Sequence, residues 1–232
     1  MASRKTPAKS NNKSVQPAPT WGGQSVFPTE IISRDWDVPE LNEKLKNEIW
    51  RNRALDPVGL YRSNAAGTWH SKDDILQASG DAGLELHKMF GEGFTSYASH
   101  VYKADMSKYV VNVRIQAWAM VYEDRGYAAV HNHPNCHASA VYYVDNTVPP
   151  KEITMATGVK LRSGDIEFLD TRSNSTMQVT GLRMNPSCII GYKTGRMLVF
   201  PSSLPHYVHP VNGPGERIAI AANANYTLKE KS

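Results

Sequence analysis

The sequence predicts a mainly β fold, a jelly-roll barrel preceded by flanking helices. Three observations predict it. From residue 109 onward, apolar and polar side chains alternate over a long run, which is the period of a β-strand. About eight short strand-like segments with frequent turns occupy the rest of the chain, a pattern typical of such barrels. Before this region, apolar residues recur at helical spacing.

Size and charge indicate one globular domain with a basic tail. The chain has 232 residues, 41% of them hydrophobic, which is enough for one core. We expect residues 1–24, rich in Lys, Ser, Asn, Pro and Gly, to be a disordered basic tail, and residues 25–232 to form a single domain. The net charge of +4 comes from four basic residues of this tail, because elsewhere 22 basic residues balance 22 acidic ones. Nucleic acid is therefore not expected as the main partner.

Targeting signals are not evident. The chain has no apolar run of about 18 residues, the minimum for a membrane span, and no apolar segment follows its basic N-terminus. Cys136 and Cys188 form no CxxC motif and suggest no disulfide framework. The sequence thus predicts a cytoplasmic protein without membrane contact, in which an exposed barrel edge could pair into a homodimer.

The first elements are a strand and an amphipathic helix. Residues 27–36 resemble a short strand, after which Asp37 is expected to cap a helix that has Pro39 in its first turn. Leu41, Leu45 and Ile49 then recur every four residues, so this helix should pack on the barrel.

A second helix is expected over residues 82–102, weakened or broken at Gly91 and Gly93. Ser71 is expected to cap a helix that begins close behind it. The irregular segment before Ser71 contains Trp69 and His70, which we consider either residues over the mouth of the site or packed ones.

The alternating run from Tyr109 predicts a long strand. One face is wholly apolar, and the other carries Gln116, Trp118 and Tyr122. The position of Trp118 between polar side chains favours a polar pocket inside the barrel, with Gln116 and Trp118 as substrate-binding candidates. Further strands are predicted at residues 153–161, 164–169, 177–182, 189–192, 196–200 and 217–223.

Three histidines predict a mononuclear metal site. His131 and His133 stand at i and i+2, so in an extended segment both rings point to the same face. His206 follows a second strand-like run and adds a third imidazole. Ferrous iron suits imidazole ligands and keeps open positions, although zinc or nickel can also bind three histidines. With His133 in place of the usual carboxylate, the centre carries one more positive charge, which favours anionic co-ligands.

Two further histidines rank lower. His209 is three residues past His206, so an extended chain puts it on the opposite face. His137, four residues past His133, either orients a ligand histidine or lies at the rim with the substrate-binding residues.

Arg217 predicts a carboxylate site beside the metal. It begins an alternating strand whose same-face neighbours are the small residues Ala219 and Ala221, followed by Asn223. Small neighbours leave room for a ligand, and a guanidinium binds a carboxylate through two parallel hydrogen bonds. The alternative is a surface ion pair with Glu216 or another acid.

Five motifs occur in order along the chain, with a Ser63 to Ser71 segment upstream. They are His131-Asn-His133-Pro, Ser139-Ala-Val-Tyr-Tyr143-Val, Phe168-Leu-Asp-Thr-Arg172, Phe200-Pro-Ser-Ser-Leu-Pro-His206 and Arg217 to Asn223. Together they resemble a bacterial and phage family of 2-oxoglutarate- and iron(II)-dependent oxygenases, over roughly residues 26–225. Ala140, Thr171 and Ala219 depart from the family's usual residues, and none is a proposed metal ligand.

The resemblance implies a double-stranded β-helix, a cupin-like jelly roll. It implies iron(II) on His131, His133 and His206, and 2-oxoglutarate chelating the iron with its far carboxylate on Arg217. Tyr142 and Asn223 are further cofactor-binding candidates, although strand parity leaves open whether Tyr142 or its neighbour faces inward. The implied reaction uses O2 and oxidises a C–H bond of a small-molecule substrate, with succinate and CO2 as co-products.

Two other functions remain open at this stage. The glycine and histidine spacings also approximate cupin motifs, so a metal enzyme that does not use 2-oxoglutarate is one alternative. A non-enzymatic metal- or ligand-binding barrel is the other, and it predicts no oxygen consumption. Arg217 distinguishes a 2-oxoglutarate-dependent oxygenase from a cupin, because a cupin needs no arginine at that position.

Overall fold

The structure is a computed structural model and describes residues 27–64, 67–103, 105–149, 152–154, 160–172 and 187–231. The predicted tail lies outside these residues. The helices are α1 (Pro39–Leu55), α2 (Ile75–Ala78) and α3 (Gly80–Tyr102), with a 3-10 turn at Met106–Lys108. The strands are β1 (Ile32–Asp35), β2 (Thr68–His70), β3 (Tyr109–Tyr122), β4 (Ala128–His131), β5 (Ala138–Asn146), β6 (Glu152–Thr154), β7 (Lys160–Arg162), β8 (Ile166–Leu169), β9 (Ser187–Ile190), β10 (Arg196–Pro201), β11 (His206–Val208) and β12 (Arg217–Glu230).

Helix α1 buries the predicted apolar stripe. Leu41, Leu45 and Ile49 are buried, and Pro39 occupies the first turn, where the missing N–H removes no helical hydrogen bond. The expected cap at Asp37 is wrong, because Val38 precedes the helix and no side chain caps it. The cap expected at Ser71 is also wrong. Its hydroxyl accepts from the backbone N–H of Ala119 and donates to the carbonyl of Lys72.

Helix α3 is continuous through Gly91 and Gly93, so the break considered at these glycines is wrong. A Cβ atom on Gly93 would lie 2.9 Å from Sδ of Met197 on β10. Gly93 therefore permits the close approach of the helix to the sheet, and packing outweighs the low helix propensity of glycine.

Two antiparallel sheets form the barrel. The larger has the strand order β1-β10-β5-β12-β3-β2, and the smaller has the order β4-β11-β8-β9. The mainly β, double-stranded β-helix prediction is confirmed. The segment expected as one strand over residues 153–161 instead contributes β6 and β7, which pair with each other. The strand predicted over 177–182 lies outside the described residues. No described helix is long and apolar enough to cross a membrane.

Strand alternation separates two sides of the larger sheet. On β3, Ala117, Ala119 and Val121 pack with the helices, whereas Trp118 and Met120 face the smaller sheet. On β12 the even-numbered residues from Ile218 to Ala224 pack with the helices, which leaves Arg217 and its same-face neighbours pointing between the sheets. The pocket interpretation of the Trp118 face is confirmed for the C-terminal half of β3.

The pairing of β5 with β12 decides which tyrosine faces inward. Asn223 is opposite Ser139, and Ala219 is opposite Tyr143 after an irregularity between Ile218 and Ala219. Tyr143 therefore packs with the residues between the sheets, whereas Tyr142 packs with the helices.

Candidate active site

Strand pairing brings the three histidines together. His131 on β4 lies directly opposite His206 on β11, and the backbone N–H of His133 donates to the carbonyl of Ser202 over 2.8 Å. The ring centroids are 4.4 Å apart for His131 and His206, 5.1 Å for His133 and His206, and 5.2 Å for His131 and His133. Their ligand nitrogens lie within 4.8 Å of one another, so all three rings can hold one metal ion.

Hydrogen bonds orient each ring for coordination. Nδ1 of His131 lies 2.7 Å from the carbonyl oxygen of Ala129, and Nδ1 of His206 lies 2.9 Å from that of Leu204. A carbonyl oxygen only accepts, so both Nδ1 atoms carry the proton and donate it. The Nε2 lone pairs remain available for a metal.

His133 is held by a polar pair on two neighbouring strands. Its Nδ1 lies 2.6 Å from Oδ1 of Asn223 on β12 and 2.8 Å from Oγ of Ser139 on β5. The Ser139 hydroxyl donates to the same Asn223 oxygen over 2.8 Å. Because Asn223 and Ser139 are directly opposite in the sheet, the larger sheet fixes the orientation of a ligand that the loop after β4 supplies.

Replacing Asn223 with alanine should weaken metal binding about 10–100-fold, the usual effect of removing a group that orients a ligand. His133 would lose its principal acceptor and rotate more freely. Competitive titration of Fe(II) against a chelator measures the change. Asn225→Ala is the matched control, since Asn225 lies two residues further along β12 and does not line the cavity. Equal weakening in both variants would contradict a specific role of Asn223.

Burial keeps the histidines neutral. Desolvation lowers the pKa of His133 to about 4 and that of His206 to about 3, and the nearby His131 adds to both shifts. Desolvation also lowers the pKa of His131. Neutral imidazoles are the form that binds metals, so the site is ready to coordinate at neutral pH without first losing protons.

These shifts predict acid sensitivity of the metal-free protein. As the pH falls below about 6.5, the unfolded chain takes up protons on His133 and His206 while the folded chain does not. These two histidines therefore do not reduce the free energy of unfolding above pH 6.5. Below this pH, the free energy of unfolding falls by about 1.4 kcal/mol per pH unit for each histidine, until the pH reaches the folded-state pKa values. Urea unfolding at pH 7.5, 5.5 and 4.5 measures the loss. His206→Gln should reduce the slope, and an unchanged slope would contradict the assignment.

Arg217 lies on the same cavity with an unpaired charge. The residue is 1% exposed, and its Nε and Nη1 atoms have no hydrogen-bond partner in the part of the chain that the structure describes. Its Cζ lies 4.7 Å from the ring centroid of Tyr122 and 5.0 Å from that of Tyr143. The surface ion pair considered from sequence is thereby excluded. A buried guanidinium without a carboxylate is unfavourable by several kcal/mol, which points to an anionic ligand.

A glycine and a tyrosine complete the surroundings of Arg217. Gly164 has a φ of +77°, and a Cβ there would lie 2.9 Å from Cδ of Arg217, so glycine leaves space for the arginine. The Tyr143 hydroxyl is buried and has no described hydrogen-bond partner. A carboxylate at Arg217 could satisfy both residues at once.

The histidines and Arg217 line one cavity of about 270 Å³ between the two sheets. Trp118, Asn223, Ala219 and Ala221 line it as predicted. The Trp118 ring lies 5.4 Å from that of His133 and stacks on His70 at 5.7 Å. Aromatic, small and polar walls of this kind are typical of small-molecule sites.

Several sequence-based candidates lie elsewhere. Gln116 is exposed and donates to Asp73, because β3 leaves the barrel before this position. The Trp69 indole donates to the carbonyl of Asp56 within the helix-side core. His137 is exposed and stacks on Tyr226, so it does not orient a ligand histidine.

Tyr142 and His209 also lie outside the cavity. The Tyr142 hydroxyl donates to Oδ1 of Asn42 on α1, over 2.6 Å, so Tyr142 does not occupy the cofactor-binding position expected for it. His209 lies 2.7 Å from a carboxylate oxygen of Glu167, in agreement with its lower rank.

Sequence reasoning missed the roles of Ser139 and Arg62, which contact the site or line it. Tyr122, on the predicted pocket face with Trp118, and His70, considered together with Trp69 as a residue over the mouth of the site, also line the cavity. Nothing local marks Arg62, whose position depends on how its loop folds over the barrel.

Comparison with models of known protein families gives a match over the central part of the barrel. Residues 116–223 match the model of a family described as "Putative 2OG-Fe(II) oxygenase". This range includes the three histidines, Arg217 and Asn223. A search of curated proteins found no match.

Solved structures share the fold at low sequence identity. A Pseudomonas putida prolyl-4-hydroxylase aligns with a TM-score of 0.54 and 13% identity, over 85% of this chain and 92% of the other. A Trichoplax adhaerens prolyl hydroxylase, solved with a peptide fragment of hypoxia inducible factor, gives 0.55 and 10%, over 84% and 83%. HygX from Streptomyces hygroscopicus, solved with nickel and 2-oxoglutarate, gives 0.51 and 10%, over 85% and 82%.

Proposed function

We propose that the protein hydroxylates an unactivated C–H bond of a small polar substrate, such as an amino acid or a natural-product intermediate. Residues 116–223 match the family of 2-oxoglutarate- and iron(II)-dependent oxygenases, which use Fe(II), 2-oxoglutarate and O2 as cofactor and cosubstrates. Succinate and CO2 are the co-products. One observation carries the proposal: three neutral histidines and a buried, unpaired arginine face the same cavity.

The three histidines fit iron(II). His131, His133 and His206 would hold it through Nε2, because each Nδ1 proton already has an acceptor. Three protein ligands leave further coordination positions for 2-oxoglutarate and O2. With no carboxylate among the ligands, the centre keeps the full charge of the metal.

Arg217 fits the far carboxylate of 2-oxoglutarate. Its Nε and Nη1, which lie on different edges of the guanidinium, have no partner among the described residues, so Arg217 has donors available for a carboxylate. The Tyr143 hydroxyl supplies a third donor where many related enzymes use a serine, a position that Ala219 takes here. Ala219 and Ala221 keep the space above Arg217 clear.

Bound iron(II) and 2-oxoglutarate would supply the oxidation by O2, in which 2-oxoglutarate loses CO2 and takes one oxygen atom of O2 to become succinate, while the other oxygen atom enters the substrate C–H bond. The protein binds and orients both. Trp118, Phe200 and Val208 line the cavity with apolar surface, which excludes bulk water and strengthens the pairing of Arg217 with its carboxylate. The modest cavity volume supports a small substrate.

The alternatives considered from sequence are less well supported. A metal enzyme that does not use 2-oxoglutarate gives no reason for a buried guanidinium without a counter-charge, and neither does a non-enzymatic barrel that binds only a metal. A non-enzymatic barrel that binds an anionic ligand does give a reason, but it predicts no oxygen consumption with Fe(II) and 2-oxoglutarate present. HygX, solved with 2-oxoglutarate and nickel, has the same fold, which is consistent with the proposal.

Anaerobic titration of the protein with Fe(II) and 2-oxoglutarate tests the proposal. We expect the weak visible charge-transfer band of the iron–2-oxoglutarate chelate, followed on exposure to air by succinate formation. Metal binding without a band would contradict the use of 2-oxoglutarate. Succinate formation without any hydroxylated product, across a broad substrate panel, would contradict the hydroxylation.

A further inference from the structure

The cavity contains two arginines and no carboxylate. Among the described residues that line it, the only side chains with a permanent charge are Arg62 and Arg217, and none is Asp or Glu. The proposed function uses Arg217 for 2-oxoglutarate and leaves Arg62 without a role. A cavity lined in this way favours an anionic occupant over a cationic one.

Arg62 is held at one edge by an ion pair, and its other N–H groups have no partner among the described residues. Its Nη2 donates to Oδ2 of Asp73 over 2.7 Å, and Gln116 donates to the same oxygen over 2.8 Å. Asp73 is thereby held in place and fixes one edge of the guanidinium. Among the described residues this is the only side-chain hydrogen bond of Arg62, so four of its five N–H groups remain available.

The position of Arg62 links it to the metal end of the cavity. Its side chain is 44% exposed, and its Cζ lies 5.9 Å from the ring centroid of Trp118. The ring of His133 lies 5.4 Å from the same indole. Arg62 and the metal ligand His133 are therefore both neighbours of Trp118, so an anion on Arg62 would place a small molecule within reach of the metal ligands.

His70 completes this wall as a neutral acceptor. Its ring is stacked on Trp118 with an interplanar angle of 7°, and its Nδ1 donates to the carbonyl of Ser71 over 2.6 Å. Burial lowers its pKa, so the imidazole is neutral and offers Nε2 as an acceptor. His70 can accept from an N–H or O–H of a ligand, but it cannot balance a cationic group.

The charge of the metal centre points the same way. The two negative charges of 2-oxoglutarate balance the two positive charges of iron(II) on three neutral histidines. The guanidinium of Arg217 then remains as one unbalanced positive charge. The pair of Arg62 and Asp73 is neutral overall. A substrate with one negative charge would restore neutrality, whereas an amine would add to the excess.

We propose that Arg62 binds a carboxylate of the substrate at the mouth of the cavity, and that the protein acts on a small carboxylic acid. This inference rests on the proposed function. It assigns a specificity residue to the reaction and a chemical class to the substrate.

The test compares acids with their uncharged analogues. Protein loaded anaerobically with Fe(II) and 2-oxoglutarate is titrated with N-acetyl-L-proline, N-acetyl-L-phenylalanine, N-acetylglycine and indole-3-acetate, and with the primary amide of each. Calorimetry gives the Kd. We expect at least one acid to bind about tenfold or more tightly than its amide, as for a hydrogen bond to a charged group. Arg62→Gln should abolish this preference, and Arg62→Lys should retain part of it.

Arg53→Gln is the matched control, because Arg53 pairs with Glu123 outside the cavity. It should leave the preference unchanged. Amides that bind as tightly as acids, a panel in which no acid binds, or a preference that survives Arg62→Gln would each overturn the proposal. Phenyl phosphate in place of the acids separates a phosphate site from a carboxylate site, and tighter binding of the phosphate would overturn the carboxylate assignment.

The test of the proposed function and the test of Arg62 can fail independently of each other. The charge-transfer band forms before any acid is added, so its absence counts against 2-oxoglutarate alone. Calorimetry with acids and amides still reports on Arg62, whether or not the band forms.

Discussion

Arg217→Met is expected to weaken 2-oxoglutarate binding strongly without destabilising the protein. Loss of one partner of a buried charge pair weakens binding by about 2–5 kcal/mol, so the affinity should fall at least about 30-fold. In the absence of 2-oxoglutarate, however, Arg217 is a buried charge with two unsatisfied donors. An apolar side chain of similar length should therefore leave the free energy of unfolding unchanged or raise it by about 1–4 kcal/mol.

Two measurements on the same variant separate binding from folding. The charge-transfer band and calorimetry report 2-oxoglutarate affinity, and urea unfolding of the ligand-free protein reports stability. Arg196→Met is the control, since Arg196 also begins a strand but pairs with Asp35 away from the cavity. It should bind 2-oxoglutarate normally. If Arg217→Met bound 2-oxoglutarate like the wild type, or lost several kcal/mol of stability, Arg217 would be a structural residue.

His206→Ala is expected to reduce metal affinity by more than about 100-fold, beyond the usual effect of changing a group that only orients a ligand. The substitution removes one of three ligand nitrogens and leaves His131 without its cross-strand neighbour. Competitive Fe(II) titration against a chelator measures the affinity, and the charge-transfer band should disappear with the metal.

His209→Ala is the matched control for this experiment. His209 lies only three residues further along the chain, and it contacts Glu167 instead of the metal site. It should bind iron as the wild type does. Equal losses in both variants would show that β11 had been disrupted, and an unaffected His206→Ala variant would exclude His206 as a ligand.

Both experiments depend on features that were visible in the sequence to different degrees. Alternation along β12 was sufficient to predict that Arg217, Ala219, Ala221 and Asn223 share a face, and the structure has all four on the cavity. That the guanidinium has no counter-charge there could not be predicted, because burial and pairing depend on residues far away in the chain.

The two adjacent tyrosines illustrate the same limit. Alternation required that one of Tyr142 and Tyr143 face inward, but the register of β5 against β12 determined which. Tyr142 reaches Asn42 on α1, and Tyr143 lies beside Arg217. Gln116 similarly shares a face with Trp118, yet β3 extends beyond the smaller sheet and leaves Gln116 exposed.

The sequence by itself determined the fold class, the candidate metal ligands and the arginine of this protein, because the period of a strand and the spacing of HxH are local properties of the chain. Only the tertiary structure decided which polar groups meet across strands: Asn223 and Ser139 at His133, Tyr143 at Arg217, and Arg62 beside Trp118. Those contacts join residues distant in sequence, and their geometry follows from sheet register and from packing between the two sheets.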